Sequence, residues 1–289
     1  LGLFLLENFS RKKAQYHSLS KGGFKIKSLI PLTGFKSLLA FSFCLIVFAI
    51  SFLFPVLQML YWTIMFPKHF TDLNVTQLLT NTMLLVFLSS CMLISLAFIS
   101  NYGNRVSKSK FLEILTTFSI SGYAIPGIIL AVAFITFISW FDNNVINFFG
   151  INTIKSFFIG TILGLVLVYF VRFYSLASNG IKSGYLKINY SIDESAYLLG
   201  YSKFKTFTNI HLPYLKNSIL LIGILITIEI IKELPITLIM RPFNFETFAT
   251  TAYIFASQDL LEAAAAPSLF LITIASFFIL ITSRYIFKD

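Results

Sequence analysis

Six runs of predominantly apolar residues divide the chain, extending roughly from Ser37 to Trp62, Thr82 to Ser100, Ile120 to Phe141, Phe157 to Ala177, Ser218 to Met240 and Ser268 to Phe287. Each is close to the ~20 residues that a helix needs to cross hydrocarbon, where only an internally paired backbone survives. The pattern therefore predicts an all-α, polytopic membrane protein with six spans. Pro126 falls inside the third run, where it removes a backbone hydrogen bond and predicts a kink. Transporters place such kinks near a pathway, and packing alone explains others, so both readings stand.

The segments between the runs set the orientation, because Lys and Arg accumulate on the cytoplasmic side of short loops. Arg11, Lys12, Lys13, Lys21, Lys25, Lys27 and Lys36 precede the first full span and place that segment inside. Alternation then puts Lys68 and Asp72 outside, and Arg105, Lys108 and Lys110 inside. Asp142 and Lys155 mark a sparse outside loop, followed by a long inside loop with Lys182, Lys187, Lys203, Lys205 and Lys216. The stretch from Arg241 to Pro267 carries Glu246, Asp259 and Glu262 and is predicted outside. Arg284 and Lys288 close the chain inside. Every segment agrees with one orientation.

Composition fits this picture. Apolar residues make up 57% of the chain and charged residues 12%, with a mean hydropathy of +0.83. A water-soluble domain could not hide that balance in one core. The net charge of +10 lies between apolar runs, not on a polar face, which excludes a nucleic-acid footprint. Cys44 and Cys91 sit in apolar runs and read as small buried hydrophobes, not a disulfide framework. The chain opens on LGLFLL followed by the basic ENFSRKKAQYHSLSKGGFKIK. A signal peptide carries its charges before its apolar core, so residues 1–36 read as the end of a preceding span and a basic cytoplasmic linker. Residues 37–289 form the transmembrane domain.

The loop between the fourth and fifth spans, 178–217, holds SIDESAYLLGYSKFKTFTNIHLP. Ser191 and Glu194 have the spacing of a capping box at a helix start. Gly200 closes that helix in a left-handed conformation. Ser202 caps a second helix, in which Phe204, Phe207 and Ile210 recur at helical spacing before Pro213 ends or kinks it.

Glu194, Ser195, Ala196, Gly200, Ile210, Leu212 and Pro213 reproduce a longer pattern: Glu-Ala-Ala, three residues, Gly, nine residues, Ile, one residue, Leu-Pro. With Ser195 in place of the second-position Ala, this resembles the cytoplasmic loop of permeases in type I, MetI-like, binding-protein-dependent ABC importers. The resemblance implies a bacterial inner-membrane, multi-pass subunit whose loop docks on a cytoplasmic ABC ATPase dimer and couples ATP hydrolysis to the spans. It also implies a periplasmic substrate-binding protein and a second permease half, fused or separate. No GxxxxGK[ST] sequence occurs in the chain, so ATP and Mg belong to the partner ATPase, and the chain itself is a transport subunit that binds no cofactor.

KELPITLIMRPFNFETFATTAYIFA, from Lys232 to Ala256, and GYAIPGIILA, from Gly122 to Ala131, are similar to segments of ferric iron importer permeases, as is the linker RKKAQYH. In those proteins two similar halves are fused, and the chain corresponds to the C-terminal half. The implied cargo is ferric iron; permeases for thiamine, aminoalkylphosphonate, polyamines or oxyanions such as molybdate share the loop pattern.

Glu229, Lys232 and Glu233 fall at i, i+3 and i+4 on one face of the fifth span, beyond its midplane. Ionisable groups at that depth face a bundle interior or a hydrated cavity. They line a cation pathway, or they form a structural ion pair of Lys232 with one carboxylate. His17, His69 and His211 are scattered, and no oxygen-ligand set suits a trivalent ion, so no metal site is expected. A secondary transporter also has spans and intramembrane carboxylates but no use for the loop pattern. A membrane-embedded enzyme needs a convergent catalytic set, which the chain does not offer.

Overall fold

The computed structural model describes residues 32–107, 109–149 and 158–286. The predicted preceding span and linker up to residue 31, together with Lys108, Lys155 and Lys288, lie outside the described residues. Among those described, the elements are all helical, and six helices are long and apolar enough to cross a membrane. They are α1 (Phe35–Met65), α3 (Val75–Ser107), α5 (Gly127–Phe149), α6 (Ile162–Tyr185), α8 (Lys203–Ile231) and α11 (Leu261–Ile286). Between them lie the shorter α2 (Pro67–Thr71), α4 (Lys110–Ile120), α7 (Tyr190–Leu198), α9 (Pro235–Met240) and α10 (Phe248–Ser257).

The chain divides into two units, up to Phe54 and from Pro55 onward. The first contains the opening of α1 and a π-turn at Ala49–Leu53, with no buried residue. The second contains the packed helices. Its axis is α6, which runs against α3, α4, α5, α8 and α9. Tyr169, Phe173, Ala177 and Ile181 of α6 are fully buried with Leu93 and Ala97 of α3 and Leu215 and Ile226 of α8.

Between membrane helices the hydrophobic driving force is weak, because lipid tails are as apolar as leucine, so close packing must hold them. Two glycines one helical turn apart on α6 permit it. A Cβ on Gly180 would lie 2.6 Å from the Ile222 side chain, and one on Gly184 2.8 Å from Leu215 Cδ2. The outward faces carry large apolar groups such as Phe43, Phe118 and Trp140. Cys44 and Cys91 are each exposed and free, in contrast to the buried position expected, because an apolar run in lipid has no need to turn its small residues inward.

Two predicted spans are broken. The third was expected to run unbroken from Ile120, but α4 ends there, a 3-10 turn follows at Ser121–Ala124, and α5 starts at Gly127. Pro126 is the reason. It forces Ile125 into an extended conformation (φ −84°, ψ 129°) and sits ahead of the helix, where its missing N–H costs nothing. It opens a helix and does not kink one. The fifth run was expected to continue to Met240, but α8 stops at Ile231 and α9 starts at Pro235, which likewise has no donor for the preceding turn.

Candidate functional site

The loop after α6 folds as helix, glycine, helix. The cap of α7 is Asn189, whose side chain accepts from the Ser191 N–H at 3.3 Å, so the Ser191 and Glu194 capping box does not form. Two residues earlier, an Asx turn provides the same service. At the other end Gly200 has φ +80°, with its N–H on the Tyr197 carbonyl and the Tyr201 N–H on the Ala196 carbonyl, both 3.0 Å. This pair of bonds is a Schellman closure, and its left-handed residue is cheap only without a Cβ. Ser202 then caps α8 as expected, accepting from the Lys205 N–H at 3.3 Å.

Pro213 does not end α8. The turn before it, Phe207–His211, is a π-turn, and the helix then continues to Ile231. Widening the turn relieves the clash between the proline ring and the preceding carbonyls. Of the motif residues, Glu194, Ser195, Gly200, Leu212 and Pro213 are exposed, Ile210 is half-buried and Ala196 is buried. The outer surface of the loop is apolar: Leu198, Leu199 and Phe204 are 89%, 78% and 74% exposed.

Beneath this surface lies a charged cluster that sequence reasoning missed. Asp193 is buried between Arg105 of α3 and His211 of α8, with Arg105 Nε donating to Oδ2 at 2.6 Å and His211 Nε2 2.7 Å from Oδ1. Facing an ion-paired carboxylate, Nε2 carries the proton. Arg105 Nη2 also donates to the Ile188 and Asn189 carbonyls, each at 3.1 Å, and the guanidinium lies over the Tyr190 ring. Tyr102 Oη donates to the Lys203 carbonyl at 2.6 Å, and the Phe207 ring packs against Phe98 and Tyr102. A cavity of about 760 Å³ flanks the cluster, lined by Asn104, Glu113, Lys182 and Lys187 among others.

A second cluster sits at the two helix breaks. Lys232 pairs with Glu229 at 2.7 Å, and Lys232 is largely exposed. Glu233 follows Lys232, the C-cap of α8, and is buried. Its carboxylate instead meets Arg172 of α6, with Nε 3.4 Å from Oε2. Arg172 Nη1 also donates to the Ile125 carbonyl at 2.9 Å, so one guanidinium joins the break before α5 to the break after α8. Gly127 makes room: a Cβ there would lie 2.9 Å from Glu233 Oε1 and 3.3 Å from Arg172 Nη1. Thr237 donates to the Glu233 carbonyl at 2.7 Å and is hydrogen-bonded to Tyr169. The acid left without a cation in the sequence reading thus has Arg172 as its partner. A lone arginine within an apolar run was the signal that could have found it.

Among the described residues, no group of three or more His, Cys, Asp or Glu is placed to hold a metal ion.

No family model matches the chain. Over 283 residues, 97% of its length, the chain is 20% identical to the Fe(3+)-transport system permease protein FbpB 2 of Haemophilus influenzae, and it spans about half (53%) of that relative. The fold is shared with a chain of a bacterial alginate ABC transporter solved with an alginate-bound periplasmic protein, at a TM-score of 0.68 and 18% identity, over 86% of this chain and 93% of that one. A second structure, of a bacterial ABC transporter that imports the acidic polysaccharide alginate, gives a TM-score of 0.65 at 19% identity, over 86% and 94%. The resemblance to type I, MetI-like ABC importer permeases read from the loop is borne out by these similarities.

Proposed function

We propose that the chain is one membrane-spanning half of an ATP-driven ABC importer in a bacterial inner membrane, and that its cargo is ferric iron delivered by a periplasmic binding protein. The observation that carries the transport reading is the loop 178–217. The short helix α7, closed at Gly200, and the first turn of α8 present Leu198, Leu199 and Phe204 to solvent on a segment predicted to be cytoplasmic. Exposed apolar groups on so rigid a loop suit docking against another protein, and the motif that carries them supports a separate ABC ATPase dimer as that protein. The similarity to an Fe(3+) permease supports the cargo, and its double length supports a second half. In this reading Glu229, Lys232, Glu233 and the break at Pro126 lie along the translocation path, and ATP and Mg are bound by the ATPase alone.

The test is reconstitution of the chain with its second half, ATPase and binding protein. Gly200→Val places a β-branched residue at φ +80°, which strains the turn and spoils the angle between α7 and α8. We expect ATP-dependent uptake of ferric iron by the wild-type complex, none by this chain alone, and ATP hydrolysis without uptake in the Gly200→Val complex. Uptake unaffected by Gly200→Val removes the coupling role from the loop, and transport of a different cargo removes iron.

A further inference from the structure

The loop is covalently continuous with α6 and α8, and any displacement of it reaches those helices through the backbone. It reaches α3 only through side chains. Those side chains are unusually complete: Arg105 engages Asp193 and two loop carbonyls, Tyr102 engages the Lys203 carbonyl, and the Phe98 and Tyr102 rings hold Phe207. At its other end α3 is fastened again. Asn81 Nδ2 donates to the Glu246 carbonyl at 2.9 Å, and the Phe248 N–H donates to Thr82 Oγ1 at 3.4 Å, so α3 holds the turn that opens α10. From Asn81 to Arg105 an unbroken helix covers about 36 Å at about 1.5 Å per residue, enough to cross the ~30 Å hydrocarbon. By contrast, α8 carries a π-turn and stops at Ile231, and the third span is interrupted at Ile125–Pro126.

We propose that α3 is a rod that carries movement of the loop across the membrane to the Glu246–Phe248 turn, with Asp193 as its joint at the loop end and Asn81 as its joint at the far end. The proposal rests on the coupling reading of the loop and adds the route by which the opposite face responds. Asp193 and Asn81 are positioning residues: neither contacts cargo or nucleotide, and each acts by keeping α3 attached to the element that moves. A rod needs both ends fastened, so loosening either end has the same consequence although the two lie on opposite sides of the membrane.

The experiment uses the assembled transporter, with an environment-sensitive fluorophore on Tyr253→Cys, an exposed position of α10. In the parent complex, binding of a non-hydrolysable ATP analogue shifts the fluorescence. In Asp193→Asn and in Asn81→Ala the shift is lost and transport per ATP falls about 5-fold or more, the range of a coupling free energy, while ATPase binding is retained. Asp193→Glu, which keeps the charge, restores a large part of both signals. Should Asp193→Asn fail to accumulate, Tyr102→Phe decides at the same end, since it removes only the hydroxyl bond to the Lys203 carbonyl. Parent-like fluorescence shifts and transport per ATP in Asn81→Ala together with Tyr102→Phe or Asp193→Asn overturn the rod. If Gly200→Val uncouples while these variants do not, the rod alone fails; if Gly200→Val is also silent, the loop reading fails with it.

Discussion

The two charged clusters of this chain hold helices together in different ways. At Arg105, Asp193 and His211, both carboxylate oxygens are engaged at 2.6–2.7 Å, and three elements converge on one buried group. At Arg172 and Glu233, a single contact of 3.4 Å joins two helix breaks, and the guanidinium is shared with the Ile125 carbonyl and is partly exposed. The first geometry suits parts that travel together. The second suits parts that separate and rejoin, because a single contact of 3.4 Å gives up less when it opens than a carboxylate engaged through both oxygens at 2.6–2.7 Å.

The largest effect is expected from Arg105→Ala. It leaves Asp193 buried with only His211 for company, and breaking such a pair from one side costs about 3–5 kcal/mol. The measurement is membrane abundance and the thermal midpoint of the purified chain, beside Arg172→Ala. Arg172→Ala should be clearly milder; equal losses would erase the distinction between the clusters.

Gly127→Ala should come next. Its Cβ would press on the Glu233 carboxylate at 2.9 Å, and overpacking of this kind costs about 1–3 kcal/mol. Because the neighbour is the end of a side chain, the carboxylate can move aside, and the Arg172 pair is what yields. We expect reduced uptake with most of the protein still folded, read as uptake per assembled complex. Unchanged uptake means that the breaks tolerate separation of the pair and that its spacing is not tuned.

Glu233→Gln should disturb the fold least. Glutamine keeps the volume and can still accept from the Ile236 N–H, so abundance and ATPase binding stay near the parent level while uptake falls. Uptake per complex equal to the parent would make Glu233 a structural partner of Arg172 and move the pathway elsewhere.

The six spans were legible because long apolar runs leave a chain few alternatives, and Gly200 was legible because a helix closed in the left-handed region needs a residue without a Cβ. The breaks at Pro126 and Pro235 were not. The apolar pattern runs through Pro126 unbroken, and the charges at Glu229, Lys232 and Glu233 drew attention away from Pro235, so the pattern did not say whether a helix bends or restarts. Arg105 was counted as one more positive charge on the inside, and that explanation hid its pairing. Asp193 stood beside Glu194 and was overlooked because the motif draws the eye to its neighbour. His211 looked isolated because its partner is 18 residues away, brought close only by the turn at Gly200. The cap at Asn189 was missed by the preference for a Ser and Glu pair one turn long over an Asx turn of two residues.

The π-turn at Phe207–His211 sets the rotational phase of α8. A π-turn uses more residues than an α-turn, so everything before it is offset about the helix axis from everything after it. On one side of the offset, Lys203 and Phe207 face Tyr102; on the other, Leu215 and Ile222 fit against Gly184 and Gly180. Removing one residue from 207–211 would turn one set by about 100° relative to the other, since each residue advances an α-helix by that angle. The loop and the span could then each be seated only at the expense of the other. Insertions and deletions, ordinarily tolerated near loops, are therefore excluded from this short stretch even where no single side chain in it is indispensable.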